Sequence, residues 1–168
     1  LLQVSRYTTR ESAPVSLLDD GEAYARLALS KEPYNEKAHF ALAQLLENQG
    51  KTTEALKEYK QTITLEPHDY PPYQIAYAKL LRREGFVDDA IQVLLPIERG
   101  YTDAVIANRS PFQVKPQVAS AQVLLTDLYI QRGQVGNAER SLKRVEELVP
   151  QNDPVLGLLR DKLAAQKK

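Results

Sequence analysis

At 168 residues with 43% hydrophobic content, the chain is long enough for one domain with a substantial buried core. Lysine plus arginine and aspartate plus glutamate balance at 22 each, so no net field recruits nucleic acid or acidic lipid. Cysteine is absent, which excludes a disulfide frame and thiolate chemistry and leaves the compartment open. No apolar run approaches a membrane span, and no signal peptide is recognisable.

The chain begins at Leu1 rather than Met, which reads as an excised or processed piece of something longer. In residues 1–18, Ser5, Thr8, Thr9, Ser12 and Pro14 break helical periodicity, predicting an arm or a truncated repeat. Asp19-x-x-Glu22 has the form of a capping box and opens a helix to about Lys31. After the turn at Glu32-Pro33-Tyr34, Asn35 suits the N-cap of the next helix. That helix carries Leu42, Ala43, Leu45 and Leu46 at helical spacing and ends at Gly50, a residue suited to a left-handed C-terminal cap. Thr52 or Thr53 then caps a further helix marked by Ala55, Tyr59, Thr62 and Leu65 and stopped by Pro67. Small Ala43 and Ala55 mark where the two helices approach closely.

These landmarks recur. Thirty-five residues after Leu42, Ala43, Leu46, Gly50, Ala55, Tyr59 and Thr62 stand Tyr77, Ala78, Leu81, Gly85, Ala90, Leu94 and Ile97. A further 48 residues on stand Leu125, Thr126, Tyr129, Gly133, Ala138, Leu142 and Val145, with Pro150 where Pro67 stood. Moving back by 34 gives Gly21, Ala25, Ala28 and Pro33, a second helix alone. Pro71 and Pro72 suit the first turn of the leading helix in the later unit. Pro96 falls inside the helix that follows and predicts a kink or an end near Val93 to Leu95. Tyr101 to Lys115 reads as an insertion loop, Pro116 restarts helix, and Asp153-Pro154 opens a last helix with Val155, Leu156, Leu159 and Leu163 on one face. The opposite face, with Arg160, Asp161 and Lys162, meets water. Repeats of this length bury their apolar faces only by stacking on one another.

The pattern resembles the tetratricopeptide repeat, W-x2-L-G-x2-Y, then A-x3-F, then P, over 34 residues. Residues 36–69 match it at Leu42, Ala43, Leu46, Ala55, Tyr59 and Pro67; residues 71–104 and 119–152 match less completely, and 19–35 supply a half repeat. His39, Gln74 and Gln122 occupy the family's Trp position, and Thr102 replaces the terminal Pro of the third unit. The resemblance implies an all-α, right-handed solenoid of antiparallel helix pairs, with residues 153–168 as a capping helix. Pentatricopeptide repeats, which bind RNA at period 35, are the nearest alternative; the Ala and Pro landmarks and the balanced charge argue against them.

The family's leading helices line a concave groove for a peptide or partner protein. Carried across by the match, the contact positions include Lys37, Phe40, Ala41, Gln44 and Asn48, then Ile75, Ala76, Lys79, Arg82 and Arg83, then Val123, Leu124, Asp127, Ile130 and Gln131. Lys79, Arg82 and Arg83 concentrate positive charge that suits an acidic peptide, or else pair with Glu84 or Glu47 as a solvated stripe. Phe40 and Ile75 would be its apolar anchors. The carboxylate clamp of co-chaperone members is missing, since Phe40, Gln44, Ile75 and Lys79 stand at its positions. Alternatives are homo-oligomerisation through open array ends and a regulatory repeat domain within a larger protein.

Nothing points to catalysis, a metal or a cofactor. The histidines are His39, assigned by the match to the Trp slot, and His68, in a turn, with no metal-ligand spacing. Asp19-Asp20 and Asp88-Asp89 fit helix N-terminal acids, and Glu146-Glu147 a solvated face. The glycines are separate turn residues rather than a phosphate loop. Asn108-Arg109-Ser110 fits a glycosylation sequon by three residues only.

Overall fold

The computed structural model describes residues 15–66, 70–108 and 111–167. The arm up to Pro14, the stop at Pro67, His68 and the last two sequon residues, Arg109 and Ser110, lie outside these. The described residues form α-helices and no strand, as the repeat pattern requires. They divide into a unit up to Pro67 and a unit from His68 onward.

The first unit holds α1 (Val15–Lys31), α2 (Glu36–Asn48) and α3 (Thr52–Leu65). The start of α1 lies a turn before the predicted Asp19, so Asp19 is inside the helix and does not cap it. Helix α2 starts where expected: the Asn35 side-chain oxygen accepts from the Ala38 N–H at 3.0 Å. Ala43 and Ala55 are each 0% exposed, which lets α2 and α3 close on one another. Tyr59, 1% exposed, fills the space beside them, its ring edge-on to Phe40 at 5.8 Å and its hydroxyl donating to Glu47 Oε2 at 2.7 Å. His39 sits half-buried, with Nδ1 2.6 Å from Glu58 Oε2 and Nε2 3.0 Å from the Pro33 carbonyl, joining α2, α3 and the preceding turn.

Helix α1 packs on α2 through Gly21, where an added Cβ would lie 3.0 Å from the Leu45 side chain. Beside it the Glu22 carboxylate accepts from Lys51 Nζ at 2.8 Å and Arg26 Nε at 2.7 Å. The Lys51 ammonium first, and the Arg26 guanidinium next, hold its carboxyl down at about 2, against an ordinary 4.5. A depressed carboxyl stabilises the fold above its ordinary value, and that contribution is lost as pH falls through the folded value. Glu22→Gln therefore lowers the melting temperature at neutral pH, and its deficit relative to the wild type shrinks as pH falls from 4.5 towards 2. Thermal melts across that range check the trend.

The turn joining α2 to α3 explains a departure from the predicted Thr cap. Gly50 takes φ +75°, and the Lys51 N–H then bonds the Leu46 carbonyl at 2.9 Å. The residue that closes α2 thereby becomes the N-cap of α3, without a side-chain cap bond, and Thr52 is already helical.

The same turn recurs twice in the second unit. Its helices are α4 (Pro71–Arg83), α5 (Val87–Gly100), α6 (Asp103–Asn108), α7 (Pro111–Gln131), α8 (Val135–Leu148) and α9 (Pro154–Gln166). Gly85 at φ +85° and Gly133 at φ +67° end α4 and α7. The following N–H groups, of Phe86 and Gln134, bond the Leu81 and Tyr129 carbonyls at 2.9 Å each. Ala78, Ala90 and Ala138, all 0% exposed, mark the close approaches within the pairs α4–α5 and α7–α8.

Two expectations fail around the prolines. Helix α5 continues through Pro96 to Gly100 instead of ending near Val93 to Leu95. Ile97, 1% exposed, and Tyr101, 6% exposed, are buried beyond it. That burial offsets the cost, on the order of 3 kcal/mol, of placing proline in a helix. Tyr101–Lys115 is not an open loop: it contains α6 and the first turn of α7, held down by buried Tyr101 and Ile106. Pro116 accordingly lies inside α7 and does not restart it; so early in the helix it sacrifices one backbone bond, while Val118 two residues on is buried.

Helix α9 starts as expected, with the Asp153 side chain accepting from the Val155 N–H at 2.9 Å, and buries Leu156, Leu159 and Leu163. Arg160 stands 34 residues after Thr126, at the position held by Ala43 and Ala78 in earlier units. Its guanidinium reaches Glu146 on α8 at 2.6 Å. A long charged side chain at the position where helices must approach closely suits a terminal helix.

Candidate functional site

Within the second unit, α4, α7 and α9 enclose a cleft of about 580 Å³. Its apolar lining comes from Val123 and Leu124 on α7 and from Leu158 and Leu159 on α9; Leu158 is 55% exposed. The charged edge comes from Lys79 and Arg82 on α4, Asp127 on α7 and Lys162 on α9.

Asp127 organises that edge. One carboxylate oxygen accepts from Arg82 Nη1 at 2.7 Å and the other from Lys162 Nζ at 2.6 Å, so this side chain ties α4 and α9 to α7. Lys162 and Arg160 are exposed as expected, yet both are ion-paired rather than merely solvated. Lys79 makes no ion pair among the described residues and is exposed beside the apolar lining. Arg82 commits one nitrogen to Asp127, which leaves part of its donor fork facing the cleft.

The structure brings together five of the nominated residues: Lys79, Arg82, Val123, Leu124 and Asp127 line one cleft. Arg83 does not join them; its Nε lies 3.3 Å from Glu84 Oε1. Ile75 is corrected as an anchor, because at 7% exposure its side chain belongs to the core. On α2 of the first unit Lys37, Gln44 and Asn48 are exposed, whereas Phe40 is half-buried against Tyr59 and offers only part of its ring. Sequence reasoning missed Leu158 and Lys162. The signal was faint: a leucine beside the buried stripe of α9, and a lysine whose partner stands 35 residues earlier.

Among the described residues no three His, Cys, Asp or Glu side chains cluster as a metal site. No helix there is long and apolar enough to cross a membrane.

The family model for the tetratricopeptide repeat matches residues 18–80. No curated protein matches the chain. Among solved structures, one titled "MamA RS-1 ArsTM double mutant" superposes with a TM-score of 0.60 at 14% identity, covering 89% of this chain and 85% of that one, a likeness of fold. Antiparallel helix pairs, small residues at their crossings and glycine turns at corresponding positions agree with that match and support a tetratricopeptide-repeat domain, a kind of repeat that generally mediates protein–protein interaction.

Proposed function

We propose that the chain is a non-enzymatic docking module that holds a peptide or partner-protein segment in the cleft of its second unit, as a scaffold or assembly factor. The observation that carries this reading is an unpaired Lys79 at the edge of a cleft floored by Val123, Leu124 and Leu158. Such a surface suits a segment with an aliphatic side chain for the floor and an Asp or Glu for Lys79 and the open side of Arg82. Exposed Lys37, Gln44 and Asn48 on α2 offer a further contact surface for the same partner class.

Selection of phage-displayed random peptides on the immobilised chain tests this. Enrichment of segments pairing an aliphatic residue with an acid is expected, with at least a tenfold loss of affinity in Lys79→Glu or Val123→Asp and little change in Arg83→Glu. Peptides that bind all three variants as well as the wild type would move the site elsewhere.

A further inference from the structure

One face of α1 is exposed, whereas on α3 and α8 the corresponding face, with Glu58 and Ser141, bonds the leading helix of its own pair. Thr62, Ile97 and Val145 occupy one repeat position and are 0%, 1% and 0% exposed. The corresponding Ala28 on α1 is exposed. Tyr24 at 73% and Leu27 at 53% exposure stand beside it. Together Asp20, Tyr24, Leu27 and Lys31 recur at spacings of four, three and four residues, the spacing of a two-helix seam. Exposed Ala23 and Ala28 flank the seam and let a second backbone approach. Asp20 and Lys31, both exposed, make no ion pair among the described residues.

The order of chemistry along this stripe is self-complementary. An acid and a tyrosine precede its midpoint, between Ala25 and Arg26; a leucine and a lysine follow it at matching distances. In an antiparallel pair related by a two-fold axis through that midpoint, Tyr24 meets Leu27 of the second copy and Asp20 meets its Lys31. The symmetry repeats both contacts. A parallel pair would instead set Asp20 against Asp20 and Lys31 against Lys31. We infer that this exposed face of α1 is a homodimer seam, occupied by α1 of a second copy in antiparallel register. The Glu22–Lys51 and Glu22–Arg26 bonds lie off the stripe and hold α1 on its own unit, so pairing needs no rearrangement within it. This interface is separate from the peptide cleft and stands or falls independently of it.

A seam this short is weak, with a dissociation constant on the order of 10–100 μM. Sedimentation equilibrium of the whole chain, from roughly 5 to 500 μM so as to bracket that range, is expected to show a monomer–dimer equilibrium. Leu27→Asp abolishes it. Asp20→Lys alone or Lys31→Asp alone weakens it about tenfold by setting like charges opposite one another. The double variant Asp20→Lys/Lys31→Asp restores it, because the swapped charges again meet their opposites. Circular dichroism confirms that each variant keeps its helices. A wild-type monomer throughout the range overturns the inference and leaves the stripe to residues 1–14 or to a helix of another protein. A dimer indifferent to the charge swaps overturns the register and with it the proposal.

Discussion

Tyr59→Ala is expected to destabilise the protein by about 3–5 kcal/mol, among the largest effects of any single substitution. The side chain is 1% exposed between α2 and α3, packs edge-on against Phe40, and donates its hydroxyl to Glu47. Truncation removes the ring from the core, opens a cavity beside Ala43 and Ala55, and strips the Glu47 carboxylate of a donor. Tyr59→Phe isolates the hydroxyl and should cost about 0.5–1.5 kcal/mol. Urea unfolding followed by circular dichroism measures both. Near-equal midpoints for Tyr59→Ala and the wild type would show that the α2–α3 pair does not depend on this ring.

Ser141→Ala is expected to cost about 1–3 kcal/mol, large for the loss of one oxygen, because of what is left behind. Gln122 is 2% exposed, Thr126 0% and Ser141 1%. The Ser141 hydroxyl donates to Gln122 Oε1 at 2.9 Å, and the Thr126 hydroxyl donates to the Gln122 carbonyl at 2.8 Å. Removing Ser141 Oγ takes the donor from a buried amide oxygen, and desolvation of that oxygen is then uncompensated. Replacing both partners should be far milder. Gln122→Leu/Ser141→Ala is expected to recover most of the loss, and a double-mutant cycle reads the coupling directly. Additive losses would mean that the amide finds another donor.

Much of the fold was legible in the sequence, and the reason is local. A glycine at 50, 85 and 133 supplies the positive φ that a helix-closing turn needs, and alanines at 43, 55, 78, 90 and 138 permit close helix crossings. Both demands fall on single residues at fixed spacing, so they survive as a pattern. The prolines misled for the opposite reason. Pro96 and Pro116 weaken a helix locally, yet Ile97 and Val118 beyond them gain enough from burial to carry the helices through. Tyr101–Lys115 looked like a loop because it carries the extra spacing between repeat units and matches none of their landmarks; two of its residues, Tyr101 and Ile106, nevertheless are buried against the core.

The candidate site was legible only in part. Lys79, Arg82 and Asp127 could be nominated because the resemblance to the repeat family carries its contact positions onto them. That Asp127 would be held from both sides, by Arg82 and by Lys162 from 35 residues further on, could not be read, nor that Lys79 would be left unpaired. By itself the sequence determined helix pairing, turn positions and the likeness to the tetratricopeptide repeat, because short-range backbone and side-chain sterics recur with the repeat. The tertiary structure alone decided which charges neutralise one another and which remain exposed without an ion pair among the described residues. Ion pairing depends on a few ångströms between side chains far apart in the chain, and no periodicity records that distance.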